Sequence, residues 1–271
     1  MAPEPTTAPS PAVPDEFPGN PANRALFLDL DVTLIDIASS PEKVHVPAEL
    51  KPLLLDVSRH LDGALAIVTG RLLTDIDTLF APLRLPAAGL HGLEWRADGE
   101  AEVKVAQAET VDAVRGVVAG MAASRPGVVL EDKGKALALH FRNAPDAQEG
   151  IAAEVAALLG SHPGLKAMPG KMVLEIKPAA VSKYTAVRQF MRQAPFAGRR
   201  PVFVGDDVTD QDGFRAALEA GGIAIAVAER PDAAASMTLR TPMAVRDWLL
   251  RLSRRLEGDA APEAQARGGA T

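Results

Sequence analysis

Asp29 and Asp31 stand one residue apart at the end of the apolar run Ala25-Leu26-Phe27-Leu28, and Thr33 follows. Two carboxylates at i and i+2 repel each other unless a cation neutralises them or one holds a proton. At the carboxyl end of a parallel strand they occupy the place where open α/β sheets bind their ligands. The pair reads as a site for a hard metal ion, with one oxygen left free for nucleophilic attack. Taken alone, Asp-x-Asp-x-Thr is also an Asx-type turn or a helix cap. Three further segments weigh against that blander reading. Val202-Phe203-Val204 ends in Gly205-Asp206-Asp207-Val208-Thr209-Asp210, and Ala64-Leu65-Ala66-Ile67-Val68 ends in Thr69-Gly70-Arg71. Lys183 lies near the start of a helical stretch, Ser182 to Gln193. Turn chemistry does not bring four element ends together.

The elements that must position these residues alternate between strand and helix, which implies an α/β fold with a parallel sheet flanked by helices. Strands are expected near Ala25–Leu30, Ala64–Val68, Ala87–Leu90, Pro201–Val204 and Gly222–Val227. Helices are expected near Ala48–Leu61, Leu72–Phe80, Ser182–Gln193, Gln211–Ala220 and Ala244–Leu256. Between about Val105 and Pro178 the pattern changes to helix, two strands, helix, two strands, an inserted α-β-β-α-β-β unit. Its strands are expected over Val128–Lys133, Lys135–Arg142, Leu165–Met168 and Lys171–Lys177, its helices over Glu109–Ser124 and Asp146–Leu159. Period-two alternation puts Leu137, Leu139 and Phe141 on one face of this small sheet. It puts Glu131, Lys133, His140, Arg142 and Glu175 on the other. Such a face is either solvated or built to hydrogen-bond a polar ligand.

These residues resemble the motifs of the haloacid dehalogenase superfamily of phosphohydrolases. Gly89-Leu90-His91-Gly92-Leu93-Glu94, Leu130-Glu131-Asp132-Lys133-Gly134, Ala138-Leu139-His140-Phe141-Arg142 and the Gly205–Asp210 string narrow the resemblance to trehalose-6-phosphate phosphatases. It runs from about Ala25 to about Leu256. The resemblance implies a Rossmannoid core over residues 21–105 and 179–256, with a cap over 106–178 that closes on the phosphate site. It implies Asp29 as nucleophile, Asp31 as general acid and then base, and Mg2+ held by Asp29, the Asp31 carbonyl and Asp206. Thr69 and the adjoining Gly70 backbone would bind the phosphoryl group and Lys183 would neutralise it. Asp210 would orient Lys183, and Asp207 would support the metal shell. His91-Gly92 would touch substrate where core meets cap, and the polar cap face would grip trehalose 6-phosphate. Read alone, Thr69 is also a candidate N-cap, Asp210 a helix cap, Lys183 a surface lysine and His91 a structural residue. Arg71 has either an acidic neighbour or the substrate for a partner.

Five positions depart from the family pattern. Val32 stands where glycine is usual, which is costly if the backbone there needs positive φ. Ser182-Lys183-Tyr184 replaces Asp-Lys-Gly, removing a carboxylate and adding bulk expected near the phosphate. Thr69 replaces a common serine, and Gln211 a common glutamate. Besides hydrolysis of trehalose 6-phosphate, two readings stay open: a phosphatase for another sugar phosphate, and a non-catalytic sugar-phosphate binder.

Composition narrows the partners. The 271 residues carry a net charge of -6 and no basic stripe, against nucleic-acid or anionic-membrane binding. The chain has no cysteine, which excludes disulfides and thiolate chemistry and is compatible with the cytoplasm. No apolar run approaches the roughly 20 residues of a membrane helix. A small-molecule substrate and a monomeric protein are expected. Residues 1–20, rich in Pro, Ala and Thr, read as a disordered lead-in, and 257–271 as a loose tail.

Overall fold

The computed structural model describes residues 20–36, 44–106, 110–170 and 172–267. The first half of the core comprises β1 (Arg24–Leu28), α1 (Leu50–His60), β2 (Leu65–Val68), α2 (Leu73–Phe80), β3 (Ala87–Gly89), β4 (Glu94–Arg96) and β5 (Lys104–Val105). The cap follows as α3 (Asp112–Ala123), β6 (Val129–Asp132), β7 (Leu137–His140), α4 (Gln148–Leu159), β8 (Leu165–Gly170) and β9 (Val173–Pro178). The chain returns to the core in α5 (Lys183–Phe190), β10 (Arg200–Gly205), α6 (Asp210–Glu219), β11 (Ile223–Val227), β12 (Met237–Leu239) and α7 (Pro242–Arg267).

The core sheet has eight strands in the order β12-β11-β10-β1-β2-β3-β4-β5. All pairs from β12 through β3 are parallel, and β4 and β5 extend the edge antiparallel. Central β1 is buried along its whole length, as helices on both faces of a parallel sheet require. Phe27 packs on Phe190 and Phe196 at centroid distances of 5.8 and 5.5 Å, which ties β1 to α5 and the turn after it. The order of β1 between β10 and β2 brings Asp29, Asp206 and Thr69 to adjacent strand ends.

The cap sheet is antiparallel, in the order β6-β7-β9-β8. Val114, Val118, Ile151 and Val155 of its helices bury against Leu137, Leu139, Leu174 and Ile176, so its other face turns toward the core. A small apolar cluster of Leu90, Leu93, Ala136 and Val181 joins cap to core. Among the described residues, no helix is long and apolar enough to cross a membrane.

Three short strands, β4, β5 and β12, lie where loops were expected. The chain beyond Glu257, expected as a loose tail, continues α7 as far as Arg267. Residues 1–19 of the expected lead-in, Glu109 at the start of the first expected cap helix, Lys171 at the start of the last expected cap strand and 268–271 of the expected tail lie outside the described residues.

Candidate active site

Asp29, directly after β1, is 5 % exposed, and Lys183, the first residue of α5, is 3 % exposed. Lys183 Nζ donates to Asp29 Oδ1 and to Asp210 Oδ1, each at 2.6 Å. Asp210 Oδ2 in turn accepts the backbone N–H groups of Asp206 (3.0 Å) and Asp207 (2.9 Å), folding the loop after β10 around itself. Gly205 makes this possible: a Cβ there would meet the Asp210 carboxyl carbon at 2.2 Å. Thr33 Oγ1, within reach of Asp29 Oδ2 at 3.4 Å and Asp206 Oδ1 at 3.3 Å, donates to one of them at a time. Sequence reading gave Thr33 no role of its own, although it belongs to the same short motif.

Lys183 is presented by a complete helix cap. Ser182 Oγ accepts the Thr185 N–H at 3.3 Å, and Thr185 Oγ1 accepts the Ser182 N–H at 3.0 Å. Serine thus does the capping that the usual aspartate would do. Tyr184, expected to crowd the phosphate, turns away from it. Its hydroxyl donates to Glu219 at 2.7 Å and its ring lies against Arg215, 4.6 Å from the centroid to the guanidinium carbon.

The carboxylates are electrostatically loaded. Burial, with the nearby Asp210, pushes the Asp29 carboxyl well above the usual range even against Lys183. Burial and Asp210 push Asp206 up to about 7. Burial alone would discharge Lys183, but Asp210 and Asp29 outweigh it and hold its ammonium above the ordinary range. One lysine among three acids leaves negative charge to be neutralised. Asp29, Asp206 and Asp210 each place an oxygen within 4.8 Å of the others. Hard carboxylate oxygens so grouped fit a small divalent cation.

Thr69 and Gly70 follow β2 at the rim of this cluster. Thr69 is 2 % exposed, and its Oγ1 accepts the Arg71 N–H at 3.3 Å rather than capping α2. The Arg71 guanidinium pairs with Asp31, whose side chain is 42 % exposed. His91, at φ 58°, lies over Gly70, where a Cβ would meet its Nε2 at 2.8 Å. Gly92 follows at φ +104°, a Cβ there meeting Ala186 Cβ at 2.9 Å. Position 32 has φ 58°, so Val32 does sit where glycine would be at ease.

The cap closes over the site from above. His91 Nε2 lies 2.9 Å from Glu175 Oε2, and Lys133 Nζ donates to Glu175 Oε1 at 2.7 Å. Burial, opposed by the Glu175 contact, pushes His91 down to about 4, so its neutral ring donates to a carboxylate. Burial works against that carboxylate, but the contacts from His91 and Lys133 outweigh it and keep Glu175 well below its usual range. Glu131 pairs with His140 at 2.8 Å on the same face, since Glu131 and Glu175 both register with Ala138. Arg142 lies apart, exposed in the turn after β7. Asp207 bonds the Val208 N–H with Oδ1 at 2.7 Å and approaches the cluster only through its backbone. Lys177, on the same side of β9 as Glu175, was missed, though the alternation that selects Glu175 selects it too.

Residues 27–242 match the family model described as trehalose-phosphatase. A probable trehalose-phosphate phosphatase of Sinorhizobium fredii is 44 % identical over 206 residues, covering 76 % of this chain and 78 % of that protein. The trehalose-6-phosphate phosphatase of Escherichia coli is 37 % identical over 213 residues, 78 % and 80 % of the two chains. Among solved structures, the C-terminal domain of Candida albicans trehalose-6-phosphate phosphatase superposes with a TM-score of 0.74 at 22 % identity, over 85 % of this chain and 92 % of that one. That last likeness speaks for the fold, a haloacid dehalogenase-like core with a cap. With the match spanning both halves of the core and the cap between them, this chain belongs to the trehalose-phosphatase family of phosphoric monoester hydrolases.

Proposed function

We propose that the protein hydrolyses trehalose 6-phosphate to trehalose and inorganic phosphate, through a phosphoryl group carried transiently on Asp29. The observation that supports this most is the buried Asp29–Lys183–Asp210 chain beneath a cap whose Glu175 reaches down to His91. A nucleophile and a phosphate-neutralising lysine then lie beneath groups suited to sugar hydroxyls.

An Asp29 carboxylate oxygen attacks phosphorus while the bond from phosphorus to the sugar oxygen breaks. Asp31, at the open edge of the site, gives a proton to that departing oxygen once bound substrate has released one of its oxygens from Arg71 and left it protonated, and next takes one from water. The water oxygen then bonds to phosphorus, the bond to Asp29 breaks, and phosphate leaves. Lys183 and Thr69 bind the equatorial oxygens on which charge develops. Mg2+, held by Asp29, Asp206 and the Asp31 carbonyl with Asp210 and Asp207 behind them, would supply charge neutralisation there. Glu131, Lys133 and Glu175 would hydrogen-bond the two glucose rings.

The test is phosphate release from trehalose 6-phosphate with Mg2+, beside sucrose 6-phosphate and glucose 6-phosphate, with Asp29→Asn and EDTA as controls. Release from trehalose 6-phosphate alone, lost in both controls, is expected. Release from a different ester would keep the mechanism and overturn the substrate. Binding without release would make the chain a sugar-phosphate binder.

A further inference from the structure

Lys177 is 2 % exposed, and its Nζ has no hydrogen-bond partner among the described residues. A buried ammonium left in that state costs several kcal/mol unless a counter-ion meets it. Protein counter-ions are not to spare. Both oxygens of Glu175, two residues along β9, are taken by His91 and Lys133. Asp29 and Asp210 share Lys183, and Asp212 pairs with Arg215 at 2.9 Å. The remaining neighbours add to the problem, since Lys166 is directly opposite on β8 and the Lys183 charge also acts on Lys177. Burial in this company pushes the Lys177 amine down to about 7.

Its placement says which anion would relieve it. Residues 173, 175 and 177 of β9 share the side that faces the core. Glu175 on that side touches His91, which lies over Gly70 beside Thr69. His91 feels the Lys177 charge, so the ammonium lies on the side of the cap that meets His91. A cap-borne ammonium is thus left unpaired among the described residues, on the face that meets His91, which itself lies over Gly70.

We propose that Lys177 is a cap-borne contact for the phosphate group, so that the cap closes fully only over an anion and a neutral sugar closes it poorly. This rests on the phosphatase reading for the identity of the anion, a phosphate monoester or the phosphate product. Closing the cap brings Lys177 toward Lys183 against their repulsion, and a dianion between them reverses the sign of that interaction. Lys177 then discriminates phosphorylated from free sugar, which Lys133 and Glu175, facing hydroxyls, do not.

The experiment is calorimetric titration of the full chain with inorganic phosphate and, separately, with trehalose, both in the presence of Mg2+. Wild type, Lys177→Met and Lys177→Arg are compared, and the melting temperature of each is measured without ligand. Lys177→Met is expected to weaken phosphate binding about tenfold or more, as loss of a charge-assisted hydrogen bond does. Lys177→Arg is expected to restore most of it, with trehalose affinity steady and the melting temperature not lowered. Unchanged phosphate affinity in Lys177→Met would overturn the proposal. So would equal weakening of phosphate and trehalose, or a lowered melting temperature that Lys177→Arg does not restore. Phosphate binding needs no turnover, so a wild type that hydrolyses no trehalose 6-phosphate would sink the substrate reading and leave this comparison intact.

Discussion

Arg71 grips Asp31 through two hydrogen bonds of 2.7 Å, Nε to Oδ2 and Nη2 to Oδ1. The planar fork sets the carboxylate's orientation as well as its charge. Lysine would keep the charge and lose the fork. Arg71→Lys should therefore lower kcat for phosphate release by about tenfold or more, with a smaller change in KM. Steady-state kinetics of the two proteins decides it, and an unchanged kcat would reduce the pair to a surface contact.

Lys183 is the cation that makes the carboxylate cluster tolerable. Removing one partner of a buried ion pair typically costs about 3–5 kcal/mol. Lys183→Met should lose stability of that order in urea unfolding without metal, and regain part of it when Mg2+ is added. If Mg2+ stabilised the variant no more than the wild type, the cluster would not be the metal site.

The His91 imidazole sits at about 4 in the fold, against 6.5 when unperturbed. Between those values the unfolded chain binds more protons, so stability rises with pH across the window. It is fully present above pH 6.5 and is lost as pH falls toward 4, a linkage on the order of 3 kcal/mol. Asp29 and Asp206, raised in the fold, slope the other way in the same window, so the His91 contribution is read as the difference between wild type and His91→Asn in chemical denaturation at a series of pH values. That difference should change by the stated amount between pH 6.5 and 4.

Val32 holds φ 58° directly after Asp31. A β-branched residue there costs about 1–2 kcal/mol, while glycine would loosen the unfolded chain by about 0.4–1 kcal/mol. Val32→Gly should then stabilise the protein by several tenths to about 1 kcal/mol, measured by thermal unfolding. A clear destabilisation would mean that the valine side chain packs well enough to offset its strain.

Most of this architecture was legible because long periodic segments determine type. The order of alternating strands and helices, and the change of pattern at the cap, were readable before any coordinates. β4, β5 and β12 were not, at three, two and three residues, since so short a stretch shows no period. At the site, the ends of β1, β2 and β10 announce Asp29, Thr69 and Asp206. What stayed hidden was pairing across the fold: nothing local links Arg71 to Asp31 or Glu175 to His91. Tyr184 shows the converse failure. One helical step from Lys183 rotates the side chain by about 100°, which carries it off the site although it is the adjacent residue.

The capping box at Ser182 has a mechanical consequence. The chain leaves the cap at Pro178, crosses Ala179 to Val181, and is clamped at Ser182 one residue before Lys183. Any swing of the cap would therefore be absorbed in Ala179–Val181 on this side and stop at the cap of α5. The lysine would then stand like a fixed anvil behind a hinged jaw, unmoved relative to Asp29 as the jaw opens.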